Sequence, residues 1–233
     1  MVTTLMYHYV RNIKNSNYPN IRGLETSLFL EQLKYLKKYY YFVSYNDLLE
    51  SIYGGKKLKK NSVILTFDDG FIDNYLSVFP ILIKENIKAI FYPISSTIAK
   101  NIVADVHKIH FILENFNNVK KIKNEVKSII NNLNKNEIIE ENFEEIYSKL
   151  AFANEDDNKN VIFIKRIFQH YLEPKIRSEI LDDLFKKYVS NDEKNFAKKL
   201  YLNVKEIKEM SDNGMTFGNH TFNHKCLGKI KVD

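Results

Sequence analysis

Two short stretches hold the residue types best suited to chemistry. The first, VILTFDDGF (63–71), ends an apolar run on two adjacent carboxylates, Asp68 and Asp69, followed by Gly70. Like charges side by side at the mouth of a buried strand repel each other and resist burial, so a cation or a proton-transfer task has to compensate them. The second, GNHTFNH (218–224), places His220 and His224 four residues apart. In a helical or tightly turned segment that spacing lets both imidazoles face one direction. Two histidines and a carboxylate make a three-ligand metal site with positions left open for water and substrate. Position 221 is Thr, so the segment lacks the Glu of an H-E-x-x-H motif. A general base has to come from elsewhere, and Asp68 is the candidate. Each stretch also has an ordinary explanation. Asp69-Gly70 can be a turn, Asp68 can cap the next helix, and H-x-x-x-H alone is a weak motif.

The surrounding pattern must bring these stretches together. VTTLMYH (2–8) reads as a strand, and TSLFLEQLKYLKKYY as a helix with Thr26 or Ser27 at its N-cap. SYNDLLESIY reads as a short helix capped by Ser44 and stopped by Gly54-Gly55. NSVILTF is a continuous apolar run, as expected of a strand covered on both faces. A helix from about Phe71 to Asn86 and a strand, IKAIFYPI, follow. This alternation indicates a parallel α/β sheet or barrel. From Asp105 to Leu202 the periodicity is almost purely helical, with one stripe on Val119, Ile122, Val126, Ile129, Ile130 and Leu133. NVKEIKEMSDNG is a further helix ended at Gly214, and MTFGNHTFNHKCL returns to a strand and then a loop. The expected organisation is therefore an α/β part at 1–104, a helical insertion at 105–202 and a continuation of the α/β part at 203–233. Both chemistry-bearing stretches then follow strands, at the edge where such sheets build their sites.

TFDDG (66–70) and HTFNH (220–224) together resemble the polysaccharide deacetylase family, also called the NodB homology domain or carbohydrate esterase family 4. KAIFYPI is similar to the strand that follows that family's first motif, and LMYHYV to its first strand. The resemblance implies an α/β fold, an incomplete or distorted (β/α) barrel of the NodB type with a large helical insertion. It implies a metal-dependent deacetylase acting on the N-acetyl group of an amino sugar or polysaccharide. Asp68 is then the catalytic base, and Asp69, His220 and His224 the ligands of a divalent metal, with zinc the expected ion. Thr221 would support the histidine loop, and His8, at the end of the first strand, would line the pocket. The family's later motifs, which supply an orienting Arg and an acid His, have no counterpart after His224, so the chain reads as a piece of a longer protein. An inactive fragment, a metal- or glycan-binding module, or a helical interaction module on an α/β scaffold are the alternatives. His107, His110 and His170, in the helical block, are expected to be core or helix-surface residues, and Cys226 a small buried one.

Composition narrows the partners. The net charge of +6 comes mostly from lysines interleaved with glutamates, and Arg11, Arg22, Arg166 and Arg177 are the only arginines. Nucleic-acid recognition favours clustered arginine forks, so nucleic acid is not an expected partner; an N-acetylated sugar or glycan is the partner the resemblance implies. One cysteine excludes an intramolecular disulfide. MVTTLMYHYVRN lacks the basic start of a signal peptide, and no apolar run reaches membrane-spanning length; the expected location is cytoplasmic.

Overall fold

The structure, a computed structural model, describes residues 2–115, 119–155 and 157–229. The chain divides into two compact units, Met1–Ala104 with Asp192–Asp233, and Asp105–Asn191. In the first, the order is β1 (Val2–Tyr7), β2 (Val10–Arg11), β3 (Leu24–Glu25), α1 (Thr26–Tyr39), β4 (Tyr41–Phe42), α2 (Tyr45–Tyr53), β5 (Ser62–Asp69), α3 (Phe79–Lys84), β6 (Ala89–Pro93) and α4 (Ser95–Lys100). The helical unit holds α5 (Asp105–Asn115), α6 (Val119–Lys135), α7 (Phe143–Leu150), α8 (Lys159–Arg166) and α9 (Pro174–Tyr188). The chain returns to the first unit with α10 (Glu193–Leu200), α11 (Val204–Asp212) and β7 (Thr216–Phe217).

The strand centred on the apolar run is β5, and all eight of its residues are buried, as a strand covered on both faces requires. The sheet runs β1-β5-β6-β7, and every pair in it is parallel. β1 lies along Ser62–Phe67 of β5, while β4 and β6 meet its start and its end. The path stays open between β1 and β7 among the described residues. The α/β reading as an incomplete barrel with a large helical insertion thus holds. One face of the sheet packs Val63, Leu65, Phe67 and Phe91 against Phe29, Leu33, Leu82 and Met210 of the helices. Phe67 anchors an aromatic stack, with ring centroids 5.2 Å from Tyr7 and 4.9 Å from Phe91. Tyr7 is therefore a packing residue, as its position beside apolar neighbours suggests.

Three local features depart from the sequence reading. The N-cap of α1 is Glu25, not Thr26 or Ser27, and its carboxylate instead accepts the backbone N–H groups of Ile13 and Lys14. The expected helix from Phe71 to Asn86 runs unbroken over 73–84, but a π-helical turn, Asn74–Val78, precedes the short α3. Pro80 explains this: it has no N–H to continue the α ladder, and Phe79 N–H reaches back five residues to Asn74 O. Cys226 is exposed, in the irregular segment after β7, and not buried as expected.

Other signals are as read. Ser44 accepts Asp47 N–H while Asp47 accepts Ser44 N–H, a closed capping box, and Gly54 ends α2. Lys56 adds a bond to Asp47, so the Asp47 carboxyl is pulled down to about 2, first by Lys56 and then by the Ser44 backbone and hydroxyl. A depressed carboxyl stabilises the fold above its unfolded value and loses that contribution as the pH falls. Asp47→Asn should therefore cost about 0.5–1 kcal/mol at neutral pH, after allowance for solvent screening. The difference from wild type should shrink between pH 3.8 and about 2. Thermal unfolding of both proteins across that range checks it.

In the helical unit, Ile122, Val126 and Ile130 bury the stripe of α6, and Phe143 and Ile146 that of α7. The buried face of α9 is Leu181, Leu184 and Phe185. His107 is buried on α5, its ring 5.8 Å from that of His110, while His170 is exposed. No helix among the described residues is long and apolar enough to cross a membrane.

Candidate active site

In a regular strand, consecutive side chains point to opposite faces, so Asp68 and Asp69 at the end of β5 would be separated by the sheet. The backbone prevents this. Asp69 takes φ +70 and Gly70 φ +71, which turns the chain sharply at the strand's mouth. Asp tolerates this left-handed region better than most residues, and Gly occupies it freely. Gly70 is needed for a second reason: a Cβ there would stand 2.5 Å from Pro93 Cβ. Beyond the turn, Gly70 O accepts Leu202 N–H at 2.9 Å and Ile72 N–H donates to Leu200 O at 2.8 Å. The segment that returns from the helical unit thus braces the acidic turn.

The histidine loop is placed by backbone bonds. β7 pairs with β6 through Ile90–Thr216 and Phe91–Phe217, and Gly218 N–H donates to Phe91 O at 2.8 Å. The first N–H groups of a helix have no partner within it. At α4 those of Ser95 and Ser96 donate to Thr221 O and Phe222 O, at 3.4 and 2.8 Å. Thr221 and His224 both take positive φ, +61 and +54. The Thr221 hydroxyl accepts Lys225 N–H at 2.9 Å and closes the loop. Strain of this kind persists only where surrounding structure fixes it, and it gathers at functional sites.

The two stretches meet. His220 Nε2 and His224 Nε2 each lie 3.5 Å from Asp69 Oδ1, and the two rings are 4.9 Å apart. One ligand atom from each of the three residues falls within 4.8 Å of the others. Ligands held at about 2.0–2.2 Å from a tetrahedral ion stand about 3.4 Å from one another. The donor set, two imidazole nitrogens and one carboxylate oxygen, and its spacing therefore fit a zinc-like divalent cation. Asp69 is 4% exposed, whereas the histidine side chains are 29% and 35% exposed, which leaves one side open to solvent.

Asp68 and His8 form the second part of the site. His8 Nε2 lies 3.9 Å from Asp68 Oδ2, with the imidazole 42% exposed. Burial pushes the Asp68 carboxyl above its ordinary value, opposed by the His220 and His8 imidazoles and assisted by the Asp69 charge. Tyr92 was not singled out by the sequence. It is the register partner of Asp68 on β6, and its phenol is raised by burial and then by the Asp68 charge. Its ring rests on Gly218, where a Cβ would come within 2.4 Å of Tyr92 Cε1. Only the strand register gives Tyr92 away; nothing in KAIFYPI marks one aromatic over the other.

Residues 55–142 match the family described as polysaccharide deacetylase. Over 75 residues the chain is 39% identical to poly-beta-1,6-N-acetyl-D-glucosamine N-deacetylase of Escherichia coli K12, a stretch spanning 32% of this chain and 11% of that relative. Among solved structures, a Streptococcus pyogenes deacetylase, PplD, in complex with acetate is similar at 19% identity, with a TM-score of 0.47, over 99% of this chain and 60% of that one. A de-N-acetylase from Aggregatibacter actinomycetemcomitans is similar at 28% identity, with a TM-score of 0.38, over 42% of this chain and 39% of that one. The family match takes in TFDDG (66–70), whereas HTFNH (220–224) lies outside it.

Proposed function

We propose that this chain, similar to polysaccharide deacetylases, removes the N-acetyl group from an amino sugar of a glycan, with a divalent cation held by Asp69, His220 and His224. The observation that carries this reading is the convergence of those three ligand atoms beside the carboxylate of Asp68. Zinc is the ion the donor set favours. Such an ion, when bound, supplies Lewis acidity toward the amide carbonyl and makes water more acidic.

The chain's own residues do the rest. Asp68 takes the proton of the attacking water, and its burial raises its affinity for that proton relative to an exposed carboxylate. A C–O bond forms at the acetyl carbon, the C–N bond breaks, and acetate and a free sugar amine leave. The amine must gain a proton as it departs. In this reading His8 relays it, which its position 3.9 Å from Asp68 and its half-open imidazole support. Tyr92, beside Asp68 on the neighbouring strand, forms a wall against which a sugar ring can rest.

The name of the Escherichia coli relative makes an N-acetylglucosamine oligomer the first substrate to test. Incubated with such an oligomer and Zn2+ or Co2+, the wild type should release acetate and expose free amine. Asp68→Asn should lower kcat by about 10²–10⁴, while cobalt titration shows the ion still bound. A metal-loaded wild type that releases no acetate, or an Asp68→Asn variant that keeps its rate, would overturn the reading. The first outcome would favour a metal- or glycan-binding module.

A further inference from the structure

The two segments that carry His8 and Asp68 are tied together just behind the site. Arg11 Nε donates to Asp73 Oδ2 at 2.5 Å, with side chains only 15% and 11% exposed. Arg11 also lies over the Tyr9 ring at 4.7 Å, and Tyr9 stacks on Phe71 with centroids 3.9 Å apart and planes 23° apart. The chain order matters. Arg11 and Tyr9 follow His8 within three residues, and Phe71 and Asp73 follow Asp68-Asp69-Gly70 at once. The stack and the ion pair therefore close a ring of contacts joining the end of β1 to the turn after β5.

This is a costly way to join two segments. Arg11 Nη2 is buried without a hydrogen bond among the described residues, and so are both amide atoms of Asn74, next to Asp73. Burial pushes the Asp73 carboxyl up even though Arg11 pulls it down. A buried ion pair with unmet donors is often no more stabilising than an apolar pair of the same size. The π-helical turn that begins at Asn74, which Pro80 favours, is a geometry frequent at functional sites. What the pair supplies is direction. A planar guanidinium that is stacked and bonded at once allows one orientation, unlike an apolar contact.

We propose that Arg11 and Asp73 are positioning residues that fix His8 against Asp68, holding the pair at its 3.9 Å separation. The role rests on the deacetylase reading above and concerns neither the metal ligands nor the binding of the sugar. The discriminating variant is Arg11→Met with Asp73→Leu, which replaces the ion pair by apolar side chains. It should melt within a few degrees of wild type or above it. Cobalt affinity and KM should stay within about twofold, while kcat falls about tenfold or more, because small misplacements at a reacting centre cost that much. Arg11→Lys, which keeps the charge and loses the planar fork, should recover part of the rate.

A double variant with wild-type kcat overturns the proposal. So does a rate that falls in step with cobalt affinity or with KM. If the double variant does not fold, Arg11→Lys decides alone: a lower kcat at unchanged KM upholds the proposal, and an unchanged kcat overturns it. If the wild type itself releases no acetate, the deacetylase reading fails separately. The His8 ring resonances in the nuclear magnetic resonance spectrum then decide. They should move in Arg11→Lys if the pair positions the ring, and their constancy would overturn the idea.

Discussion

Asp69→Asn should abolish divalent-ion binding and deacetylation together. Asp69 Oδ1 is the point on which both imidazole nitrogens converge, each at 3.5 Å, and it is the one anionic donor of the set. An Asn oxygen is similar in size but carries no charge, and its amide presents a donor where the ion needs an acceptor. Affinity for Zn2+ or Co2+ should drop more than about 100-fold, and acetate release about 1000-fold or more. Stability gives a reading free of activity. An ion that binds only the folded chain stabilises it by about 2.7 kcal/mol at 100 times its Kd. The wild type should therefore melt at a higher temperature with the ion than without it, and Asp69→Asn should not. A variant that keeps the ion-dependent rise would remove Asp69 from the ligand set.

Gly70→Ala should be the most destabilising small substitution in the sheet unit. A new Cβ would meet Pro93 Cβ at 2.5 Å and Pro93 Cα at 2.9 Å, and the second is backbone that cannot swing away. The left-handed φ adds about 1–2 kcal/mol for any L side chain, so the total should reach about 3–5 kcal/mol. Gly55 provides the control. It has the same φ, +71, with nothing within 4 Å of its Cβ position. Gly55→Ala should cost only the backbone share, about 1 kcal/mol. Urea unfolding of the two variants separates steric from conformational cost; equal losses would show that the Pro93 contact is absorbed by relaxation.

Much of this was legible in the residues because the signals are local. An unbroken apolar run of strand length, with a glycine close behind it, is what a strand covered on both faces needs, and β5 is one. Ser44 before an apolar helix announces its N-cap, to which the structure adds the reciprocal bond from Asp47. TFDDG and HTFNH could be paired because each follows a strand, although nothing in either stretch gives the distance between them. What stayed hidden depends on distant partners. Glu25 caps α1 while its carboxylate serves Ile13 and Lys14, a pairing that only the folded loop reveals. Pro80 was visible, but the π-helical turn at Asn74–Val78 was not announced by any local signal. Arg11 was one of four arginines with no mark of its own until Asp73 stood beside it. Tyr92 needed the register of β6 against β5.

The exit and re-entry of the helical unit have a consequence for how the protein can change. Val103 N–H donates to Glu193 Oε1 at 2.8 Å, and Ala104 N–H to Tyr201 Oη at 3.1 Å. The excursion therefore begins and ends at one clasped point. Closing a chain between fixed ends costs only about 0.6 kcal/mol more for each doubling of its length. Material between Ala104 and Asp192 can lengthen, shrink or be exchanged for another module at little thermodynamic cost to the sheet, as long as the clasp survives. That makes this junction the natural place for evolution, or for an engineer, to graft a new module onto an unchanged sheet.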